Sequence, residues 1–407
     1  MQPLTVHFQR YWLFLFIFLI PFSTWYLVQA PFAISLINVF SVVFIGLGIY
    51  NLTTGNLPKI YVPDKATLVI IGLLFVAISF GLLNSHPLRS GLGFWISRLV
   101  QPMLVGFFVL QMAENKTLKP DELIKVLFWS LLPLVIVGAL QLIHVVPLRD
   151  PLRISAAYRW PDTFGRYVEI LVLLSAPWVF LRSKIIVWQS ALWLAGLGIM
   201  VASFSYSVVA SCVVALLCIV ALLPKSYAKL KLVVAGTTMV GAVLAVSFSH
   251  QLLSWHYGIT ASKNTRLEFW QVAERTIAQH PLTGIGLKGW QQQYPQLVAQ
   301  YGPNHPPLNV TSEQPQNVFL DSLLKAGVLG LVAVTAVLVW PIVQGIRLSK
   351  LPFEAGGRFG LGLAGYGIGL LLFGLLDDPL WSDDTAPLLF IVVLLASWFY
   401  SRKPVNA

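Results

Sequence analysis

ASKNTRLEFWQVAERTIAQHPLTGIGLKGW (residues 261–290), carried on by YPQLVAQYGPNHPPLNVTSEQPQNVFLD (294–321), is a polar interval in a chain that otherwise reads as membrane. The interval runs from Ser254 to Gly330 and closes where AGVLGLVAV (326–334) turns apolar. A connection of this size is usually either functional or disordered. Trp, Phe and Leu at helical spacing within it argue for order. The stretch is too polar to span a bilayer and too long for a mere connector, so it reads as the working part of a membrane protein.

The rest of the sequence fits that frame. Of 407 residues, 57 % are hydrophobic and 11 % charged, whereas soluble domains carry about 25 % charged residues. The net charge of +11 is spread as short clusters between apolar runs. That is the pattern of topology signals and headgroup contacts, and it excludes nucleic acid as a partner. Cys212 and Cys218 fall in one apolar run and read as small hydrophobes. Apolar runs of spanning length lie near 11–29, 32–51, 67–84, 91–112, 124–145, 166–182, 185–203, 207–223, 232–250, 327–346, 359–376 and 385–400. A bilayer core needs about 20 residues per helix. The expected fold is therefore an all-α polytopic membrane protein with about twelve transmembrane helices and one large helical loop. The expected divisions are helices 1–9 over residues 1–250, the loop over 251–326 and helices 10–12 over 327–407. The first apolar run lacks a small-residue cleavage site and leads directly into more membrane, so it reads as a span rather than a signal peptide.

With both termini inside, sixteen Lys and Arg fall on the cytoplasmic side and ten on the outer side, in keeping with the positive-inside rule. The polar interval then faces outward, into the periplasm of a cell with an envelope. Several outer cations are arginines, among them Arg153, Arg159 and Arg266. Arginine suits bidentate contact with phosphate, although pairing with acidic residues or headgroups would also place it there. Arg98 lies about 10 Å into its span at 1.5 Å per residue. An intramembrane arginine is a functional candidate, with snorkelling as the other reading and Glu169 as a candidate partner for it or for Arg166.

Asn264 or Thr265 could cap a helix that begins at Arg266. In that helix Arg266, Trp270, Ala273 and Ile277 form one stripe, with Glu268, Gln271 and Arg275 opposite. An arginine on the packed face beside Trp270 needs an acceptor, such as a phosphate. In HPLTGIGLKGW (280–290) the two glycines read as a tight turn, because a phosphate cradle would have a preceding strand and a third glycine. The cluster DDPLWSDD (377–384) reads chiefly as charge balance for the arginines.

Read together, these segments resemble the O-antigen ligase and polymerase family. The resemblance is carried by Arg266-x-x-x-Trp270, HPLTGIGLKGW, Tyr294 and QNVFLDSLLKAGVLGL (316–331). It extends to RISAAYRWPDTFGRYVEIL (153–171), where Pro161, Asp162 and Phe164 stand at the family's Pro, Asn and Phe. The resemblance covers roughly 150–390. It implies a glycosyltransferase of a bacterial inner membrane, active at the periplasmic face without metal or cofactor. Such an enzyme moves a glycan from undecaprenyl diphosphate to an acceptor hydroxyl on a lipid or glycan. It implies arginines on the diphosphate, with Arg153, Arg159, Arg98, Trp270 and Tyr206 as substrate-binding candidates and Arg266 at the centre. It also implies a histidine that deprotonates the acceptor.

Two positions depart from the family pattern. Its His-Asn is Gln316-Asn317 here, and an amide is no general base near neutral pH. Its Ser-Arg after the seventh span is Ser205-Tyr206. His305 and Asp321 are the candidates to replace the histidine. A transporter or flippase is the rival reading, but it would show two related halves with helices broken at mid-membrane. A different class of lipid-sugar transferase would carry an acidic pair in its first outer loop, and none occurs near Gln29–Pro31.

Overall fold

A computed structural model of the chain describes residues 3–22, 26–28, 34–147, 154–156, 158, 161–181, 186–224, 227, 236, 253–301, 314–353 and 356–402. In chain order the helices are α1 (Leu4–Leu19), α2 (Leu36–Thr53), α3 (Lys65–Leu83), α4 (Leu88–Trp95), α5 (Gln101–Glu114), α6 (Pro120–Trp129) and α7 (Leu131–Leu142). They continue as α8 (Pro161–Phe180), α9 (Val187–Ala202), α10 (Tyr206–Leu222), α11 (Leu253–Gln279) and α12 (Gly289–Tyr301). The last three are α13 (Val318–Ser349), α14 (Gly357–Gly374) and α15 (Thr385–Ser401). Among the described residues the β-structure is one antiparallel pair, β1 (Tyr26–Val28) with β2 (Ile34–Ser35). The protein is an all-α polytopic membrane protein.

Eight segments are long and apolar enough to cross a bilayer, α4–α5 and α6–α7 each forming one of them; α9, α10 and α15 are apolar but shorter. Eleven of the twelve expected spans thus have a helical counterpart. The ninth, at 232–250, lies outside the described residues apart from Gly236. The first span needs correcting: it runs over Leu4–Phe22 and not 11–29. Its polar start is accommodated because Gln9 accepts a hydrogen bond from Asn51 Nδ2 (3.0 Å) and Arg10 pairs with Glu122 (2.9 Å). Pro21 then closes the helix in a 3₁₀ turn, and the β-pair follows.

Local chemistry sets the helix starts. Asp64 accepts from the backbone N–H groups of Ala66 and Thr67, both at 3.1 Å, and Asn317 accepts from those of Phe319 (3.0 Å) and Leu320 (3.1 Å). These bonds satisfy donors that the first helical turn leaves open. Helix α8 is buried along nearly its whole length, with α9, α10 and α14 against it.

The polar interval folds on its own small apolar cluster of Phe269, Val272, Ala273, Ile285, Trp290, Leu297 and Leu324. Helix α11 begins at Leu253, well before the start expected at Arg266. Its inward face is Phe269–Val272–Ala273–Thr276, while Arg266, Trp270 and Ile277 sit half-buried at its margin. The stripe expected from the sequence was therefore rotated by about one residue position. The aromatic weight of Phe269, packed edge-on to Trp290 and Tyr294, turns the helix to that face.

Helix α13 is broken at Ala326 (φ −147°) and Gly327 (φ 62°, ψ −154°). Residues 318–325 therefore form a short separate helix, and the membrane segment restarts after the break. The turn 281–287 is wedged into that break. Ile285 N–H donates to the Leu324 carbonyl (2.7 Å) and Val328 N–H to the Pro281 carbonyl (3.0 Å). Gly284 (φ 65°) and Gly286 (φ 90°) make the turn, and a Cβ on Gly284 would stand 2.5 Å from the Leu324 oxygen. On the other side the turn meets the end of α3, where Ser85 Oγ accepts from Leu287 N–H (2.9 Å) and Asn84 Nδ2 donates to the Thr283 carbonyl (3.2 Å). Replacing Ser85 with alanine orphans a buried N–H. The expected loss is about 1–3 kcal/mol, measurable as a lower unfolding midpoint of the purified protein in detergent.

Candidate functional site

Four acidic residues between α14 and α15 organise the end of the helix bundle on which the polar interval lies. Each meets basic groups from other elements. Arg166 of α8 donates to both carboxylate oxygens of Asp384, at 3.1 and 3.2 Å, and to Ser382 Oγ at 3.1 Å. Arg98 pairs with Asp383. Lys325 pairs with Asp321 one turn earlier and lies 4.0 Å from Asp378. Asp377 accepts from Gln314 Nε2 (3.3 Å) and feels the charges of Arg166 and Arg266. The expected role of charge balance is what the geometry shows. Glu169, expected to pair with Arg98 or Arg166, instead accepts from Ser211 Oγ at 2.7 Å.

Burial is costly for carboxylates even when they are paired. It pushes Asp377, Asp378 and Asp383 above the usual carboxylate range, against the pull of Arg166, Lys325 and Arg98 respectively. For Asp378 the facing Asp321 carboxyl adds to the upward push.

A cavity of about 80 Å³ opens beside this network. Phe94, Arg98, Lys288, Trp290, Lys325 and Trp381 form much of its wall, with Asp321 and Gln314. Lys288 and Lys325 lie 5.8 and 5.3 Å from the Phe94 ring centroid, so one aromatic face steadies both ammonium groups. The Trp290 and Trp381 side chains are buried, and neither indole N–H has an acceptor among the described residues. Buried donors are nearly always paired, so two such donors in one cavity wall fit a ligand rich in oxygen acceptors.

The candidates taken from the sequence separate into groups. Arg98 and Asp321 lie in the cavity wall. Arg266 and Asn317 are outside the cavity wall and reach adjacent carbonyls, Arg266 Nε donating to that of Leu376 (3.1 Å) and Asn317 Nδ2 to that of Leu375 (3.0 Å). Gln316 is half-buried with φ 52° and follows Pro315 at the edge of the same region. Trp270 packs on the apolar cluster of the polar interval, away from the cavity wall. Tyr206 starts α10 with its side chain exposed. Arg153, Arg159 and His305 lie outside the described residues.

The sequence reading passed over Lys288, Lys325, Trp290, Trp381 and Phe94 as site residues. One signal was available, since Asp321 and Lys325 stand at i, i+4 in a segment too charged for a span. Arg98 lies in a π-helical turn, Ile96–Val100. Such turns often mark functional sites, but they leave no trace in residue spacing.

The architecture defines a multi-pass helical membrane protein whose charged cavity is built where a folded polar interval meets the bundle. Residues 190–335 match the family model described as O-antigen ligase. Over that segment, about a third of the chain, the protein is similar to the O-antigen ligase family. The match starts in α9, takes in the polar interval and ends within α13. The comparison with curated proteins finds no match.

Proposed function

We propose that the protein transfers a glycan from undecaprenyl diphosphate to an acceptor hydroxyl, at the periplasmic face of a bacterial inner membrane, as a ligase or polymerase. The supporting observation is the cavity wall that combines Arg98, Lys288 and Lys325 with two buried indoles. Breaking the anomeric C–O bond places negative charge on the departing diphosphate. Fixed cations in a site poor in water stabilise that charge as it develops. Asp383 holds the Arg98 guanidinium in place, and Asp321 and Asp378 hold the Lys325 ammonium. At about 80 Å³ the cavity is too small to enclose a glycan, so its fit is to the reacting centre while the chain and the lipid extend outward.

The transporter reading is weaker, because the described helix break at Ala326–Gly327 lies near one end of its helix and not at mid-span.

Lys288 is the residue to test. It sits at the cavity rim, donates to Gln291 Oε1 at 2.8 Å, and its charge also acts on Asp383. In a strain lacking the gene, long surface glycan should disappear, and single-repeat products would identify polymerisation. Complementation with Lys288→Ala should give wild-type protein level and about 100-fold slower transfer. Unchanged surface glycan in the deletion strain would remove the proposal.

A further inference from the structure

The family resemblance leaves a gap in the chemistry: the position of the family histidine is Gln316, whose amide cannot take a proton. Asn317 cannot serve either. Its oxygen caps α13 and its amide nitrogen donates to Leu375. Among the described residues the cavity wall contains one carboxylate, Asp321.

We propose that Asp321 is the general base of the glycan-transfer site, taking the proton of the acceptor hydroxyl, with Lys325 and Asp378 as its positioning residues. This rests on the glycan-transfer reading above. The acceptor oxygen forms a bond to the anomeric carbon as its O–H proton passes to an Asp321 carboxylate oxygen. The bond from that carbon to the diphosphate oxygen breaks, and its electron pair leaves on the diphosphate opposite Arg98 and Lys288. Asp321 then returns its proton to water.

Three features of the geometry support this. Asp321 is 1 % exposed yet forms part of the cavity wall, so it is fixed and dry except on the side a substrate would occupy. Lys325 grips it from one helical turn away, in the short segment 318–325 that the break at Gly327 separates from the membrane helix. Asp378 faces it and is itself buried without a hydrogen-bond donor on Oδ2 among the described residues. Burial pushes the Asp378 carboxyl up, and Asp378 is not part of the cavity wall, so Asp321 is the carboxyl of the pair that a substrate can reach.

The test uses membranes of the deletion strain, with its own lipid-linked glycans and acceptor as substrates and purified full-length protein added. Wild type must first restore transfer; if it does not, the glycan-transfer reading itself fails. If it does, Asp321→Asn should lower kcat by at least about 100-fold with KM near wild type, while the unfolding midpoint falls because the buried Lys325 loses its nearer partner. Asp321→Ala should be lost equally and then regain activity with added formate, a small carboxylate able to occupy the vacated place. A purely structural tie between Asp321 and Lys325 would give no formate rescue. Asp321→Glu, which keeps the charge if the amide variant fails to insert, should retain a measurable fraction of kcat. Transfer by Asp321→Asn within tenfold of wild type, or Asp321→Ala inactive with and without formate, overturns the proposal.

Discussion

Arg166→Ala should cost about 3–5 kcal/mol, the expected loss when one partner of a buried ion pair is removed. Arg166 is 4 % exposed and Asp384 1 %, so the carboxylate left behind has no water to turn to. The bond is bidentate and is supported by Ser382, and the guanidinium lies 5.7 Å from the Phe373 ring centroid. It joins α8, the most enclosed helix, to the start of α15. The measurement is the unfolding midpoint in detergent together with the yield of membrane-inserted protein. Arg166→Met combined with Asp384→Leu should recover most of the loss, because removing both charges also removes their desolvation cost. A single variant as stable as wild type would show that the pair contributes nothing to holding the bundle.

Gly327→Val should be comparably severe. The backbone there (φ 62°, ψ −154°) belongs to a region open essentially to glycine, and strain of this kind costs about 1–3 kcal/mol. A Cβ would also run into the Leu282 carbonyl. The turn 281–287 would then be forced off the break, and the 314–325 segment should become sensitive to limited proteolysis. Gly72→Ala is the control. It lies in α3 with nothing within 4 Å of its Cβ position, and alanine favours helix over glycine by about 1 kcal/mol. An undisturbed Gly327→Val protein would mean that the turn is not seated by the break.

Much of this architecture was legible in the sequence because bilayers impose a length and polarity rule that residues obey one by one. The polar interval, the restart of the membrane segment near Gly327 and the glycine turn followed from local chemistry. The first span was misplaced because Gln9 and Arg10 read as exterior until Asn51 and Glu122, distant in sequence, are seen to satisfy them. The same limit applied at the site. Arg98 finds Asp383 across hundreds of positions, and no local pattern could choose between that partner and Glu169. The face of α11 was misjudged for a different reason: periodicity gives a stripe, but the packed side depends on which neighbours, here Trp290 and Tyr294, arrive to meet it.

The segment between Leu375 and Thr385 is tethered from many directions at once, by Arg98, Arg166, Arg266, Asn317 and Lys325. Such a multiply anchored clasp has little room to vary in length, so insertions or epitope tags placed there should unlatch several helices together. A tag or label would be better placed at the exposed Gln291 on the cavity rim, outside the clasp.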